Sequence, residues 1–159
     1  MSTAEERLEA LGIRLPKVQP FPGRMVNRPV TVHGNVGYVS GMGPIGEDGP
    51  ELGILGGDLD VDQGYAAARL TAHRMLAVLR NHFGHLDAID RWLSVRGFIR
   101  SSEGFVNQPA VLNGFTDAIV EVFGEDRGIC ARSAIGTGHL PLGIPVEVEA
   151  VVALAGVEP

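Results

Sequence analysis

The segment from residue 128 to residue 154 places an arginine and two carboxylates where they could do chemistry. In its last stretch, VEVEAVVAL, Glu147 and Glu149 alternate with valines, so the two carboxylates share one face of a predicted strand. A carboxylate on a partly apolar face is costly unless it is paired or faces a water-filled cleft. Arg132, in the preceding predicted strand, is the natural partner by closeness in sequence and by charge.

Arg132 has two interpretations that the spacing does not separate. In the first, it makes a structural ion pair with Glu147 or Glu149. In the second, its planar guanidinium grips the carboxylate of a small ligand through two parallel charge-assisted hydrogen bonds, which fix orientation as well as affinity.

Alternating and turn-forming residues predict the strands that would position these groups. Val30 and Val32 alternate with polar residues, and Gly34-Asn35 separates them from a second strand that ends at Ser40-Gly41, which indicates a hairpin. Residues 42–57 carry six glycines and two prolines and are predicted to form a loop. The later strands are predicted at 91–100, 131–137 and 146–154. In the first of these, Leu93, Val95 and Ile99 are predicted to face opposite to Trp92, Ser94, Arg96 and Phe98.

Three helices are predicted from capping residues and apolar stripes. Thr3 and Glu6 form a capping box, with a stop at Gly12. Asp62 is predicted to cap a helix that ends at Gly84, and a further helix is predicted over residues 108–123. After the N-terminal helix, the predicted order is strand, strand, helix, strand, helix, strand, strand. This order predicts an α+β fold with a mixed sheet and with the two later helices on one face of it.

Charge and composition limit the classes of partner that the protein is expected to bind. The 159 residues include 13 basic and 19 acidic side chains, a net charge of −6, which opposes binding to nucleic acid or to an anionic membrane surface. No apolar run approaches the ~20 residues that cross a bilayer. The single cysteine, Cys130, and the charged N-terminal stretch MSTAEERLEALG predict a cytoplasmic protein. The length predicts one domain, with residues 1–16 as a helical lead-in.

Four short segments stand out together: ARS at 131–133, LP at 140–141, VEVEA at 146–150 and GYVSG at 37–41. In combination they resemble the Rid family, also called YjgF, reactive intermediate deaminase or endoribonuclease L-PSP-like proteins. The stretches GYAAAR, LNGFTDAIVEVFGE and ARSAIGTGHLPLGIPVEVEA resemble the longer-chain subgroup. The resemblance covers residues 17–155.

This resemblance implies a chorismate-mutase-like fold with a mixed six-stranded sheet, and a homotrimer with ligand clefts between subunits. It also implies hydrolysis of reactive enamine or imine acids to 2-oxo acids and ammonia, without a metal or an organic cofactor. By resemblance, Arg132 holds the substrate carboxylate and Glu147 is the catalytic residue that orients the attacking water. Ser40, Gly41 and Asn113 are the further substrate-binding residues that we expect to line the cleft.

The chain also departs from the deaminating branch of the family. The tyrosine that this branch carries before its first strand falls near Asn27 and Arg28, and its Cys or Thr two residues after the arginine is Ala134. These changes motivate an alternative function, a non-catalytic binder or sensor of small carboxylate metabolites. Imine hydrolysis needs no nucleophilic side chain, so Cys130 is predicted to be a buried or interface thiol. Ribonuclease activity, which some members carry by name, is disfavoured by the acidic balance.

Overall fold

A computed structural model describes residues 2–19 and 23–156 of the chain. The strands are β1 (Val30–His33), β2 (Val36–Met42), β3 (Ile45–Gly46), β4 (Gly49–Pro50), β5 (Ile89–Arg100), β6 (Ala131–Thr137) and β7 (Val146–Leu154). The helices are α1 (Ala4–Ala10), α2 (Val61–Phe83), α3 (Gln108–Phe123) and α4 (Glu125–Gly128). Within the described ranges, no helix is both long enough and apolar enough to cross a membrane.

The main sheet has five strands in the order β1-β2-β7-β5-β6. All its pairs are antiparallel except β5 with β6, which run parallel. The α+β prediction with a mixed sheet is therefore confirmed, but the predicted count of six strands is wrong for this sheet. The Gly-rich segment 42–57 instead holds β3 and β4, which pair with each other as a separate two-stranded hairpin.

Capping residues set the helix bounds, and one predicted cap is wrong. Thr3 caps α1 with the predicted capping box. Helix α2 is capped by Asp60 rather than Asp62. The Asp60 side chain accepts a hydrogen bond from the backbone N–H of Gln63 at 2.8 Å. In return, the Gln63 side chain accepts one from the backbone N–H of Asp60 at 2.9 Å. This reciprocal pair satisfies two helix-end donors at once, which explains why the helix starts earlier. The bounds predicted for α3, β6 and β7 are confirmed.

The alternation predicted for strand β5 is wrong at Trp92, which is buried together with Val95 and Ile99 instead of facing away from them. Its pairing with β7 shifts register between Trp92 and Ser94, which inserts an extra residue and changes the alternation. Trp92 is consequently 2% exposed and Leu93 is 38% exposed. The Trp92 ring lies edge-on to Phe115 and Phe123 of α3, with centroid distances of 6.0 and 5.9 Å.

The two faces of the sheet have different environments. Helices α2 and α3 pack on one face, called here the helix face, over the buried side chains Val146, Val148 and Val152 of β7. The other face, called here the open face, carries Glu147 and Glu149, which are partly exposed, as the alternation predicts.

Candidate functional site

Arg132 lies on the helix face at the edge strand β6. Its Nη1 donates to Oδ1 of Asn113 at 2.7 Å and to Oγ1 of Thr116 at 3.0 Å, both on α3. Among the described residues, Nε and Nη2 have no hydrogen-bond partner. One nitrogen thus fixes the guanidinium on α3, and the Nε–Nη2 edge stays available for bidentate binding of a carboxylate.

A groove of about 590 Å³ opens beside this arginine, and we call it the Arg132 groove. Asn113, Thr116 and Cys130 are among its lining residues. Burial raises the pKa of the Cys130 thiol, and the nearby positive charge of Arg132 only partly opposes this shift. A raised pKa keeps the thiol protonated at neutral pH, which disfavours a role as nucleophile.

Glu147 lies in a second cavity of about 570 Å³, called here the Glu147 cleft. Ser40 and Gly41 line the same cleft. Burial raises the pKa of the Glu147 carboxyl, and the neighbouring charge of Glu149 raises it further. Glu147 makes no ion pair or hydrogen bond with any residue in the described ranges, so its carboxylate is free to accept a proton from water.

The position of the Glu147 carboxylate depends on the absence of a side chain at Gly41. A Cβ at residue 41 would overlap Oε1 of Glu147 and lie 3.2 Å from its Cδ. Ser40 is fixed differently: its Oγ donates to the backbone carbonyl of Arg28 at 2.7 Å. Asn27 also lines the cleft.

The predicted site residues therefore form two groups within one chain. Arg132 and Asn113 belong to the Arg132 groove on the helix face, whereas Ser40, Gly41 and Glu147 belong to the Glu147 cleft. Strand β5 separates β6 from β7, and Arg132 pairs with Val95 while Glu147 pairs with Phe98. Two strand spacings and three residues put the Cα atoms of Arg132 and Glu147 about 14 Å apart.

The proposed ion pair between Arg132 and a β7 glutamate is wrong for this chain. Glu149 instead pairs with Arg96 of the adjacent strand, Nη1 to Oε1 at 2.5 Å, and Glu147 pairs with no described residue. The physical reason is that β5 lies between β6 and β7, although these two strands are consecutive in sequence, and that the side chains of Arg132 and Glu147 point to opposite faces.

Thr116 and Arg74 are polar residues of these cavities that were not predicted as site residues. Thr116 lies three positions after Asn113 on α3, and this spacing on a helix could have indicated a shared face toward Arg132. Arg74 of α2 lines the Glu147 cleft. An arginine one residue before Met75, in the buried stripe of α2, was the available signal.

The described side chains offer little to a metal ion. Within residues 2–19 and 23–156, no group of three or more His, Cys, Asp or Glu side chains converges in a way that could hold one. Arg132 in one cavity can bind an anion, and Glu147 in the other is a carboxylate whose pKa is raised.

The family described as "YjgF/chorismate mutase-like, putative endoribonuclease" matches residues 5–148, and the chain belongs to this family. Protein TCP17 of Trypanosoma cruzi is 38% identical over 148 residues, which are 92% of this chain and 91% of that protein. The crystal structure of protein Atu1372 from Agrobacterium tumefaciens is similar with a TM-score of 0.83 and 37% identity, over 96% of this chain and 92% of that one.

A crystal structure from Shewanella oneidensis MR-1 is similar with a TM-score of 0.88 and 30% identity. The alignment covers 96% of this chain and 100% of that chain. These matches confirm the predicted family and the predicted YjgF fold.

Proposed function

We propose that this chain hydrolyses reactive enamine or imine acids to 2-oxo acids and ammonia, in clefts between the subunits of a homotrimer. The observation that carries the proposal is the division of the site. A guanidinium with a free edge lies on one face of the sheet, and a carboxylate with a raised pKa lies on the other. Neither group alone can both hold and activate a substrate, so a neighbouring copy must bring the two together.

The reaction follows from the chemistry of these two groups. Arg132 of one subunit binds the substrate carboxylate through its Nε–Nη2 edge. Glu147 of the neighbouring subunit accepts a proton from a water molecule, whose oxygen attacks the imine carbon. Glu147 returns that proton to the imine nitrogen, which gives the carbinolamine. It then carries the hydroxyl proton to the amino nitrogen, so that the C–N bond breaks, ammonia leaves and the 2-oxo acid remains. Carbon is already electrophilic in an imine, so orientation supplies most of the catalysis.

The raised pKa of Glu147 suits this role. Burial and the charge of Glu149 raise the pKa of Glu147, which makes its carboxylate a stronger base than that of an exposed glutamate. The size of the proposed substrates is that of serine, which Escherichia coli TdcF, a structure of the same fold at 18% identity, holds in its crystal.

The direct test is ammonia release from 2-iminobutanoate and 2-iminopropanoate, generated in place by an amino-acid oxidase. Wild type is expected to accelerate hydrolysis, and Arg132→Ala is expected to lower kcat/KM by about 100-fold, because a bidentate charge-assisted contact is lost. Arg91→Ala is the matched control, since Arg91 is an exposed arginine paired with its neighbour Asp90. A wild-type rate equal to spontaneous hydrolysis would refute the proposed activity.

Mixing two inactive variants tests whether the site is shared between subunits. In a trimer that contains both Arg132→Ala and Glu147→Gln chains, one cleft receives native Arg132 from one chain and native Glu147 from the other. Random mixing at equal amounts should restore about a quarter of wild-type activity, because three quarters of the trimers are mixed and each holds one native cleft in three. No recovery in mixed trimers whose subunits have been shown to exchange would contradict a site shared between subunits.

The alternative, a non-catalytic carboxylate binder, is favoured by Ala134, which lies on the same face of β6 as Arg132 and packs against the core. Calorimetry separates the two functions. Saturable binding of 2-oxobutanoate that is lost in Arg132→Ala, without any acceleration of imine hydrolysis, would favour the binder.

A further inference from the structure

Arg74 is a charged group in the Glu147 cleft that the proposed reaction does not use. It projects from the middle of α2 and lines the cleft together with Val78 and Ile45. Its Nη1 is buried and has no hydrogen-bond partner. No carboxylate in the described part of the chain forms an ion pair with it.

The other arginines of α2 show how unusual this environment is. Arg69 binds Glu121 of α3 through two hydrogen bonds, and Arg80 lies 3.8 Å from Glu5 of α1. Each of these has a carboxylate nearby. Arg74 is the α2 arginine for which the described residues supply none, although burial makes its positive charge costly and so lowers its pKa.

The position of Arg74 relative to Glu147 leaves room for a ligand. Both line one cleft, yet they form no ion pair, and the pKa of Glu147 responds to burial and to Glu149 rather than to Arg74. The cleft passes the end of β2, where β1 no longer covers the strand because their pairing stops at Val39. It therefore runs from the open face, at Glu147, to the α2 side, at Arg74.

We propose that Arg74 binds a second anionic group of the ligand, a carboxylate or a phosphate, so that the preferred substrates are dianionic 2-imino acids. This inference rests on the proposed function for the reaction itself. The first carboxylate of the ligand occupies Arg132 of the neighbouring subunit, the imine carbon lies at Glu147, and the second anion reaches Arg74. The apolar walls contributed by Met25 and Leu142 contact the carbon chain between them.

The first experiment measures binding of stable 2-oxo acids, which are the products of the proposed reaction. Calorimetry compares 2-oxoglutarate with 2-oxopentanoate, which has the same chain length and one carboxylate fewer. A third acid, 3-phosphohydroxypyruvate, tests a phosphate in place of the second carboxylate. Wild type is expected to bind one of the dianions about 10- to 100-fold more tightly than 2-oxopentanoate. The tighter dianion identifies the second group as carboxylate or phosphate.

Arg74→Ala should abolish this preference and leave the affinity for 2-oxopentanoate within about threefold of wild type. Arg74→Lys should retain part of the preference, because a point charge remains without the planar fork. Arg80→Ala is the matched control on the same helix and should bind as wild type does. Equal wild-type affinity for all three acids, or an unchanged preference in Arg74→Ala, would overturn the assignment.

Two further measurements, the rate of imine hydrolysis and the oligomeric state, distinguish a failure of this proposal from a failure of the proposed function. Hydrolysis of 2-iminoglutarate should exceed that of 2-iminopentanoate in kcat/KM, and the ratio should collapse in Arg74→Ala. If neither imine is hydrolysed, the reaction is wrong while the binding preference still tests Arg74. If light scattering shows that Arg74→Ala dissociates the oligomer that wild type forms, Arg74 pairs with a neighbouring subunit and the ligand assignment fails.

Discussion

Substituting Gly41 by alanine tests whether the position of the Glu147 carboxylate controls the reaction rate. A Cβ at this position would overlap Oε1 of Glu147 and lie 3.2 Å from Cδ and 3.3 Å from Cγ. To regain ordinary contact distances, the carboxylate oxygen must move by roughly 1 Å, and a displacement of that size costs about 100-fold in rate. This loss corresponds to about 2.7 kcal/mol of transition-state stabilisation.

Steady-state ammonia release from 2-iminobutanoate measures this effect. We expect kcat of Gly41→Ala to fall about 100-fold and KM to change less than threefold, because Arg132 still binds the substrate carboxylate. Gly138→Ala is the control, since a Cβ there meets no atom within 4 Å. Equal kcat values for Gly41→Ala and Gly138→Ala, with both variants folded and assembled as wild type is, would show that the position of the Glu147 carboxylate does not control the rate.

Two further predictions concern the pH dependence of catalysis and the packing of the helices. Glu149→Gln removes a negative charge that raises the pKa of Glu147, so the acidic limb of the kcat/KM profile should move to lower pH, toward the ordinary glutamate value. Arg96→Gln removes the positive charge paired with Glu149 and should move that limb to higher pH. Shifts of the same sign in the two variants would contradict an effect of the Glu149 charge on the pKa of Glu147. Gly114→Ala should destabilise the fold by about 3 kcal/mol, because its Cβ would overlap the backbone carbonyl of Tyr65 on the facing helix, and backbone cannot yield as a side chain does. Thermal unfolding beside the Gly138→Ala control checks this, and an unchanged midpoint would mean that the helices separate at little cost.

Local sequence patterns predicted the elements of the site more successfully than their arrangement. Successive side chains of any strand point to opposite faces, and this period of two predicted the bounds of β7. It also predicted that Glu147 and Glu149 face away from the buried valines of the strand. The bounds of α3 follow from an apolar stripe and a terminal glycine. These features depend on residues close together in the chain, so a single sequence suffices.

The remaining features depend on contacts between distant segments. The position of β5 between β6 and β7 places Arg132 and Glu149 two strands apart, which no spacing in the sequence reveals. The extra residue at Trp92 in β5 changes the alternation without any glycine or proline to indicate it. The environment of Arg74 likewise becomes evident only when the β2 end and α2 are seen to share one cleft.

The single tryptophan of the chain provides an internal fluorescence reporter of folding. Trp92 is enclosed on the helix face by Phe115 and Phe123, and its indole N–H has no hydrogen-bond partner. Its emission should be blue-shifted in the folded chain and should move to longer wavelength on unfolding. Ligand binding or subunit association on the open face should leave this spectrum unchanged. The fluorescence of Trp92 therefore distinguishes an unfolded variant from a folded one that has lost only its oligomeric partners or its ligand.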